Sequence, residues 1–274
     1  MKLPLAFLVI VLTVSSFSRK EILWVAIGDS ITYLNEHADE TGNRVTKGYM
    51  TRVVDKLSNV HYINQGHNGW TSGRIADSID KLHLQKADVY SLFLGTNDWW
   101  QGRPTGNLTD YQHNTGNKTV YGSFRIIINK LRTLNENAHI ILITPMQRLD
   151  FVYINNPKNN AYGSYKDKAG QSLEKFAQAI DSIGKLEQFD VIDLYHDRRL
   201  KLKNLVKYKR LKDPQTGEYK NYRYPRFLEI PFKPESDEYP YPATAIGLTY
   251  DGLHPSDKGN AIIAARLRKV LKRY

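Results

Sequence analysis

The stretch ILWVAIGDS, residues 22–30, decides how the rest of the chain is read. Apolar residues run unbroken from Ile22 to Ile27, and the chain then turns polar at Gly28-Asp29-Ser30. Continuous apolar character over a short run marks a strand covered on both faces, as in a parallel sheet. Four further runs repeat the pattern: VHYIN at 60–64, DVYSLFL at 88–94, HIILIT at 139–144 and FDVIDL at 189–194. Helical periods lie between them. Tyr49, Val53, Val54 and Leu57 share one face over 47–57, and Phe124, Ile127, Ile128, Leu131 and Leu134 share one over 121–134. Leu173, Phe176, Ala177 and Ile180 do so over 165–186. A last helix over 257–272 is expected to turn Ala261, Ile262, Ala265 and Leu267 inward, with Arg266, Lys269 and Arg273 outward. Strands alternating with helices imply an α/β fold, a parallel sheet with helices on both sides. In such sheets chemistry gathers at the C-terminal ends of the strands.

Working outward, 274 residues suit one large domain. With 41% apolar and 24% charged residues the chain belongs among folded proteins, not disordered ones. It has no cysteine, which excludes disulfide scaffolds, Cys-ligated zinc, iron–sulfur clusters and thiol catalysis. The formal charge of +11 is uneven. Residues 195–233 hold twelve Lys/Arg against four Asp/Glu, and residues 266–273 hold five basic residues and no acid. The remainder is slightly acidic, so the basicity is local and not that of a nucleic-acid-coating surface.

Lys2 precedes the apolar run LPLAFLVIVLTV at 3–14, and SSFS follows. That run is about 12 residues, short of the ~20 that a bilayer core requires. A basic start, a short apolar core and small residues read as an export signal over 1–19, which implies an exported (periplasmic or secreted) protein with no stable membrane anchor. Residues 20–274 are then one domain, with a basic, Tyr-rich insertion at about 195–250. That insertion and the Gly-, Asn- and Thr-rich stretch 99–120 are long for structureless loops and point to function.

Four polar blocks carry the chemistry. Gly28-Asp29-Ser30 puts a hydroxyl just past a buried strand, where either a nucleophile or a helix start fits. Asn64-Gln65-Gly66-His67-Asn68-Gly69 brings glycines, whose bare backbone can approach a ligand. In Gly95-Thr96-Asn97-Asp98, the Asn97 amide can donate to a developing oxyanion or cap a turn. In Asp251-Gly252-Leu253-His254, a carboxylate three residues before an imidazole can fold back on Nδ1 and leave Nε2 free to take a proton.

Taken in order, these blocks resemble those of the SGNH (GDSL-type) hydrolase family, and the resemblance runs from about 22 to 272. It implies a three-layer α/β/α sandwich around a five-stranded parallel sheet, flavodoxin-like, which agrees with the strand count above. It implies Ser30 as nucleophile, His254 as general base and Asp251 as its orienting acid. The oxyanion hole would comprise the Ser30 and Gly69 backbone N–H groups and the Asn97 side chain, with Gly66 as a second candidate in its block. No metal or organic cofactor is implied. Asp29, next to the nucleophile, reads as a loop-fixing residue. His67 reads as a loop residue, and His37, His61, His83, His113, His139 and His196 as surface or packing residues.

Substrate must be read from the loops. Trp99 and Trp100 follow the third block and can stack on a sugar ring or line an acyl slot, or one of them can pack against the neighbouring helix. Arg148 follows the fourth strand and can face the cleft. Tyr195, Tyr208, Tyr219, Tyr222, Tyr224 and Phe227 interleave with the basic residues of 195–233, a mixture that suits an anionic glycan, an anionic membrane surface or a nucleic acid, and equally a solvated loop; no nucleic-acid motif accompanies it. The leading expectation is an exported esterase that removes O-acyl groups, chiefly acetyl, from a neutral or anionic carbohydrate, without nucleic acid as partner. The alternatives are a lipid-directed esterase or lysophospholipase of the same fold and a non-catalytic glycan-binding protein.

Overall fold

The computed structural model describes residues 20–274, so the export signal expected at 1–19 lies outside the described residues. The strands are β1 (Ile22–Gly28), β2 (Val60–Gly66), β3 (Val89–Phe93), β4 (His139–Ile143), β5 (Phe151–Tyr153), β6 (Asn156–Ala161), β7 (Asp190–Ile192), β8 (Lys209–Lys212) and β9 (Tyr219–Tyr222). The helices are α1 (Ser30–Tyr33), α2 (Tyr49–Val54), α3 (Ser72–Ser78), α4 (Thr96–Trp100), α5 (Leu108–Gln112), α6 (Val120–Leu134), α7 (Leu173–Glu187), α8 (Leu202–Leu205) and α9 (Asp257–Leu271).

The five runs singled out by apolar continuity form one parallel sheet in the order β2-β1-β3-β4-β7. From β1 the chain first lays β2 on one side and then β3 on the other. A crevice opens where the two crossovers diverge, at the C-terminal edge of β1, and ligands of such sheets bind there. Gly28 pairs with both Gly66 and Phe93, so the three strands end level.

Period-two alternation sorts β1 between two cores. Trp24 and Ala26 enter the core with Tyr49, Met50, Phe93 and Leu267, under α2 and α9. Val25 and Ile27 enter the other, with Tyr90, Leu92, Phe124, Ile128, Phe176 and Ile180, under α6 and α7. Each fully buried side chain of this size contributes ~1.5–3 kcal/mol. The one indole N–H this buries in the centre is satisfied, since Trp24 Nε1 donates to Ser91 Oγ at 2.8 Å.

Several expectations shift. Helix α7 begins at Leu173 and not near 165, because Ser172 caps it by accepting from Lys175 N and Gly170 before it takes a positive φ. On α9 the inward face is Asn260, Ile263, Ala264, Leu267 and Leu271, and Ala261 and Ala265 are exposed. The small size of the alanines made them compatible with either side. Strand β2 is an edge and only half-buried. Residues 99–120 are not one loop, since they contain the end of α4 and all of α5, which Asn107 and Asp110 open with a reciprocal capping box. The 195–250 stretch also has structure. Helix α8 and the β8-β9 hairpin deliver Leu205, Leu211 and Tyr222 to the core, and the segment after the hairpin adds Phe227 and Tyr241. Among the described residues no helix is long and apolar enough to cross a membrane.

Candidate active site

Strand β1 delivers Ser30. Gly28 is required where the strand ends, because a Cβ there would lie 2.1 Å from Thr32 Oγ1. Asp29 then caps α1: its carboxylate accepts from Ile31 N at 3.0 Å, and Ser30 becomes the first residue of the helix. Asp29 is therefore the loop-fixing residue expected, but it is also buried, and desolvation raises its pKa to about 6 against the opposing pull of the Ile31 N–H and His254.

His254 arrives from the opposite end of the chain. Its Nε2 lies 2.8 Å from Ser30 Oγ, and its Nδ1 lies 2.7 Å from Asp251 Oδ2. The other carboxylate oxygen, Asp251 Oδ1, accepts from Leu253 N at 3.0 Å and His254 N at 2.7 Å. The acid thus has one oxygen spent on folding its own loop and one on the imidazole. Phe151 meets the imidazole edge-on at 5.3 Å and Tyr250 stacks at 5.9 Å, so the ring is fixed by packing as well as by the bond to the carboxylate.

This loop is stitched to the segment that follows β4. Leu149 N donates to Gly252 O at 2.8 Å, and Val152 N donates to Asp251 O at 3.2 Å. Gly252 has φ +91°, and a Cβ there would lie 2.1 Å from Asp150 O. The same Asp150 accepts from the Lys209 ammonium at 2.8 Å, and its carbonyl accepts from Tyr241 OH. Lys209 is 4% exposed at its side chain. A residue counted in the basic segment is therefore buried as a support beneath the site, and burial lowers its pKa while Asp150 opposes that. Arg210 pairs with Glu238, Lys220 with Asp213, and Arg199 with Asp197, so much of that segment's charge is internally matched.

The two middle blocks complete the rim. Gly66 and Gly69 have different tasks. A Cβ on Gly66 would strike Tyr33 N at 2.1 Å, so Gly66 lets α1 lie against β2. Gly69 has φ +73°, open space at its Cβ position and a place in the pocket wall. Neither Ser30 N nor Gly69 N has an acceptor among the described residues. Asn97 Nδ2 gives one hydrogen to Trp70 O at 3.1 Å, which leaves its second free. Ser30, Gly69, Asn97 and His254 all line one pocket of about 430 Å³.

Asp98, quoted in the third block but given no role, proves central to its geometry. Fully buried, it accepts from Ser72 N at 2.9 Å and Ser72 Oγ at 2.7 Å, with Arg103 Nε at 3.3 Å. It therefore locks the start of α3, just after Gly69, to α4, which bears Asn97. Burial raises its pKa, and the Ser72 bonds work against that rise. The signal available in the sequence was an acid beside a donor residue, which is too common to stand out.

The tryptophans separate. Trp99 is a correction: it is 1% exposed, its Nε1 donates to Gln171 O at 3.0 Å, and it does not line the pocket. Successive helical residues point about 100° apart, so only one of the two can face the cleft. Trp100 does so. Arg148 lines the same pocket although only 1% exposed, and burial pushes its pKa down to about 10. The β5-β6 hairpin, not anticipated from sequence, adds Phe151, Tyr153, Asn159 and Asn160 to the wall. His67 stacks on Trp70 at 4.3 Å and is not a pocket residue.

A flavodoxin-like sheet with a hydroxyl–imidazole–carboxylate chain at its switch point defines a hydrolase that acts on esters. Residues 26–262 match the model of the GDSL-like Lipase/Acylhydrolase family, and the chain belongs to that family. Among solved structures it is similar to a possible lipase from Chitinophaga pinensis DSM 2588, at 67% identity over 92% of this chain and 98% of that one, with a TM-score of 0.91. At the level of fold it is similar to the acetyl xylan esterase AlAXEase (19% identity, 91% and 100% coverage, TM-score 0.54). The same holds for a catalytic mutant of Axe2, an acetylxylan esterase from Geobacillus stearothermophilus (18%, 91% and 94%, TM-score 0.51). No curated protein matches the sequence.

Proposed function

We propose that the protein is an exported serine esterase that removes O-acyl groups, chiefly acetyl, from a carbohydrate. The observation that carries this reading is the unbroken line Ser30 Oγ–His254 Nε2–Nδ1–Asp251 Oδ2, with steps of 2.8 and 2.7 Å, opening on a pocket with unspent N–H donors. Ser30 Oγ attacks the ester carbonyl carbon as its proton passes to His254 Nε2. The carbonyl oxygen becomes an oxyanion and takes hydrogen bonds from Ser30 N, Gly69 N and Asn97 Nδ2, each worth ~3 kcal/mol at the transition state. The C–O bond to the sugar then breaks, and the sugar oxygen leaves with the proton from His254. Water attacks the acyl-enzyme with His254 again as base, and releases the acid and the Ser30 hydroxyl.

The pocket wall favours a sugar. Asn68, Gln101, Asn159 and Asn160 add amide side chains to the wall, and Trp100 and Tyr153 add aromatic rings. A lipid-directed esterase is the second reading, favoured by the apolar patch of Leu34, Phe151 and Leu253 in the same wall. Ser30→Ala is expected to abolish covalent labelling by a serine-directed phosphonate, and equal labelling of the variant removes Ser30 from the role. Faster hydrolysis of p-nitrophenyl acetate than of the octanoate supports the acetylesterase, and the reverse order supports the lipid enzyme. No turnover of either leaves a glycan-binding protein.

A further inference from the structure

Arg148 holds a positive charge at the pocket wall with no carboxylate in direct contact among the described residues. Its Nη2 donates to Ala161 O at 3.1 Å and its Nε to Leu149 O at 3.4 Å. Among the described residues no carboxylate lies within 4.0 Å of the guanidinium, and Nη1 has no hydrogen-bond partner yet is not sealed from solvent. Burying an unpaired cation costs several kcal/mol, so a buried guanidinium ordinarily carries a carboxylate with it. Asp251 and Asp150 favour the Arg148 charge only from farther off and are paired elsewhere, Asp150 with Lys209 and Asp251 with His254, while Asp29 caps α1. What surrounds the guanidinium instead is aromatic, with Trp99 and Trp100 centroids at 5.6 and 5.8 Å.

The adjoining rim has the same sign. Lys168 Nζ sits 4.0 Å over the Trp100 ring, and Lys166 Nζ sits 4.4 Å over Tyr162, which packs edge-on to Trp100 at 6.0 Å. Neither ammonium has a carboxylate within 4.0 Å among the described residues. Glu40 is the acid that lines the pocket, and it is engaged by Tyr33 OH at 2.7 Å and faces His37 at 3.5 Å.

We propose that Arg148 is the specificity-determining residue for an acidic sugar: its guanidinium receives a ring-borne carboxylate of the acylated carbohydrate, with Trp100 beside it in the pocket wall and Lys168, over the Trp100 ring, adding positive charge. This rests on the esterase reading for its substrate's acyl group but not for its charge preference. Guanidinium and carboxylate match as a planar fork, and the free Nη1 supplies a donor that the protein leaves open. Uronates and sialates both present this group, and they differ in the geometry around it.

The test is direct binding to the full chain, which does not depend on turnover. Calorimetric titration with trigalacturonate, its trimethyl ester and N-acetylneuraminate is expected to show the free acid binding at least ~10-fold more tightly than the ester, because only the acid forms a charge-assisted bond. Tighter binding of the neuraminate than of the trigalacturonate assigns the site to sialates, and the reverse assigns it to uronates. In Arg148→Gln the acid-to-ester ratio should collapse toward one. Arg148→Lys should restore part of it, because charge returns without the fork. Equal affinity of wild type for acid and ester overturns the proposal even if Arg148→Gln does not fold. Hydrolysis of p-nitrophenyl acetate by the same sample separates the outcomes. Turnover without acid preference ends this inference alone, and acid preference without turnover ends the esterase reading alone.

Discussion

Replacing Asp251 by asparagine tests the proposed triad through a single proton. Asp251 Oδ1 accepts from two backbone N–H groups, those of Leu253 and His254, and Oδ2 meets His254 Nδ1. An asparagine at this position has one acceptor and one donor to distribute. Turning its NH₂ toward the two backbone donors would break two hydrogen bonds and strand two buried N–H groups, at ~1–3 kcal/mol each. The oxygen therefore stays on the backbone side, and the NH₂ faces His254 Nδ1. That nitrogen must then accept, so the ring proton moves to Nε2 and points at Ser30 Oγ, where a base needs a lone pair. The loop keeps its fold and the imidazole takes the wrong tautomer. The expected loss in kcat on p-nitrophenyl acetate is about 10⁴-fold. The melting temperature should move little, since the loop hydrogen bonds survive. Retention of more than a tenth of wild-type kcat by a folded Asp251→Asn protein would refute the assignment of His254 as base and Asp251 as its orienter.

Three other outcomes follow from the same geometry. The pKa of Asp29 is raised from 3.8 to about 6 by burial, so the native state holds a proton there that the unfolded chain releases. Its contribution to stability is full below pH 4 and lost as pH rises to about 6, a span worth ~3 kcal/mol. Asp29→Asn keeps the cap acceptor for Ile31 N, and denaturant titrations should show it gaining on wild type between pH 4 and 7; parallel curves would count against a neutral, buried acid. Gly252→Ala combines φ +91° with a Cβ placed 2.1 Å from Asp150 O, and should cost ~2–4 kcal/mol of stability and most activity. A melting temperature and rate equal to wild type would show that this loop gives way freely. Asp98→Ala strands the Ser72 N–H and should lower kcat more than it raises KM, because it loosens the α3–α4 junction that carries Gly69 and Asn97; a pure KM effect would place Asp98 on the substrate side instead.

The sheet was legible because burial on both faces leaves almost no place for a polar side chain inside β1, β3 and β4, and a short run of that kind is seldom anything but a doubly covered strand. The gathering of the first three blocks followed from their position at the level ends of β1, β2 and β3, and the fourth joins them from the loop that precedes α9. What sequence hid is governed by tertiary direction. Nothing local tells Trp99 from Trp100, but one helical step sends the first into the core and the second to the pocket. The β5-β6 hairpin carries Asn156, Asn159 and Asn160 in a polar run that lacks strand alternation. Lys209 looked like one more surface charge and lies buried against Asp150, since a long side chain can reach an acid that only the fold brings near. Asp98 was visible as a residue, yet its partner Ser72 sits 26 positions away with no pattern linking them.

Ser30 and His254 touch across 224 residues of chain. A polypeptide emerging from the ribosome carries its hydroxyl almost from the outset and stays inert until nearly the whole sequence has been made, since the imidazole arrives just ahead of α9. Recovery of turnover during refolding would accordingly report closure of that 224-residue loop, and far-ultraviolet signals from helices and strands should return before it.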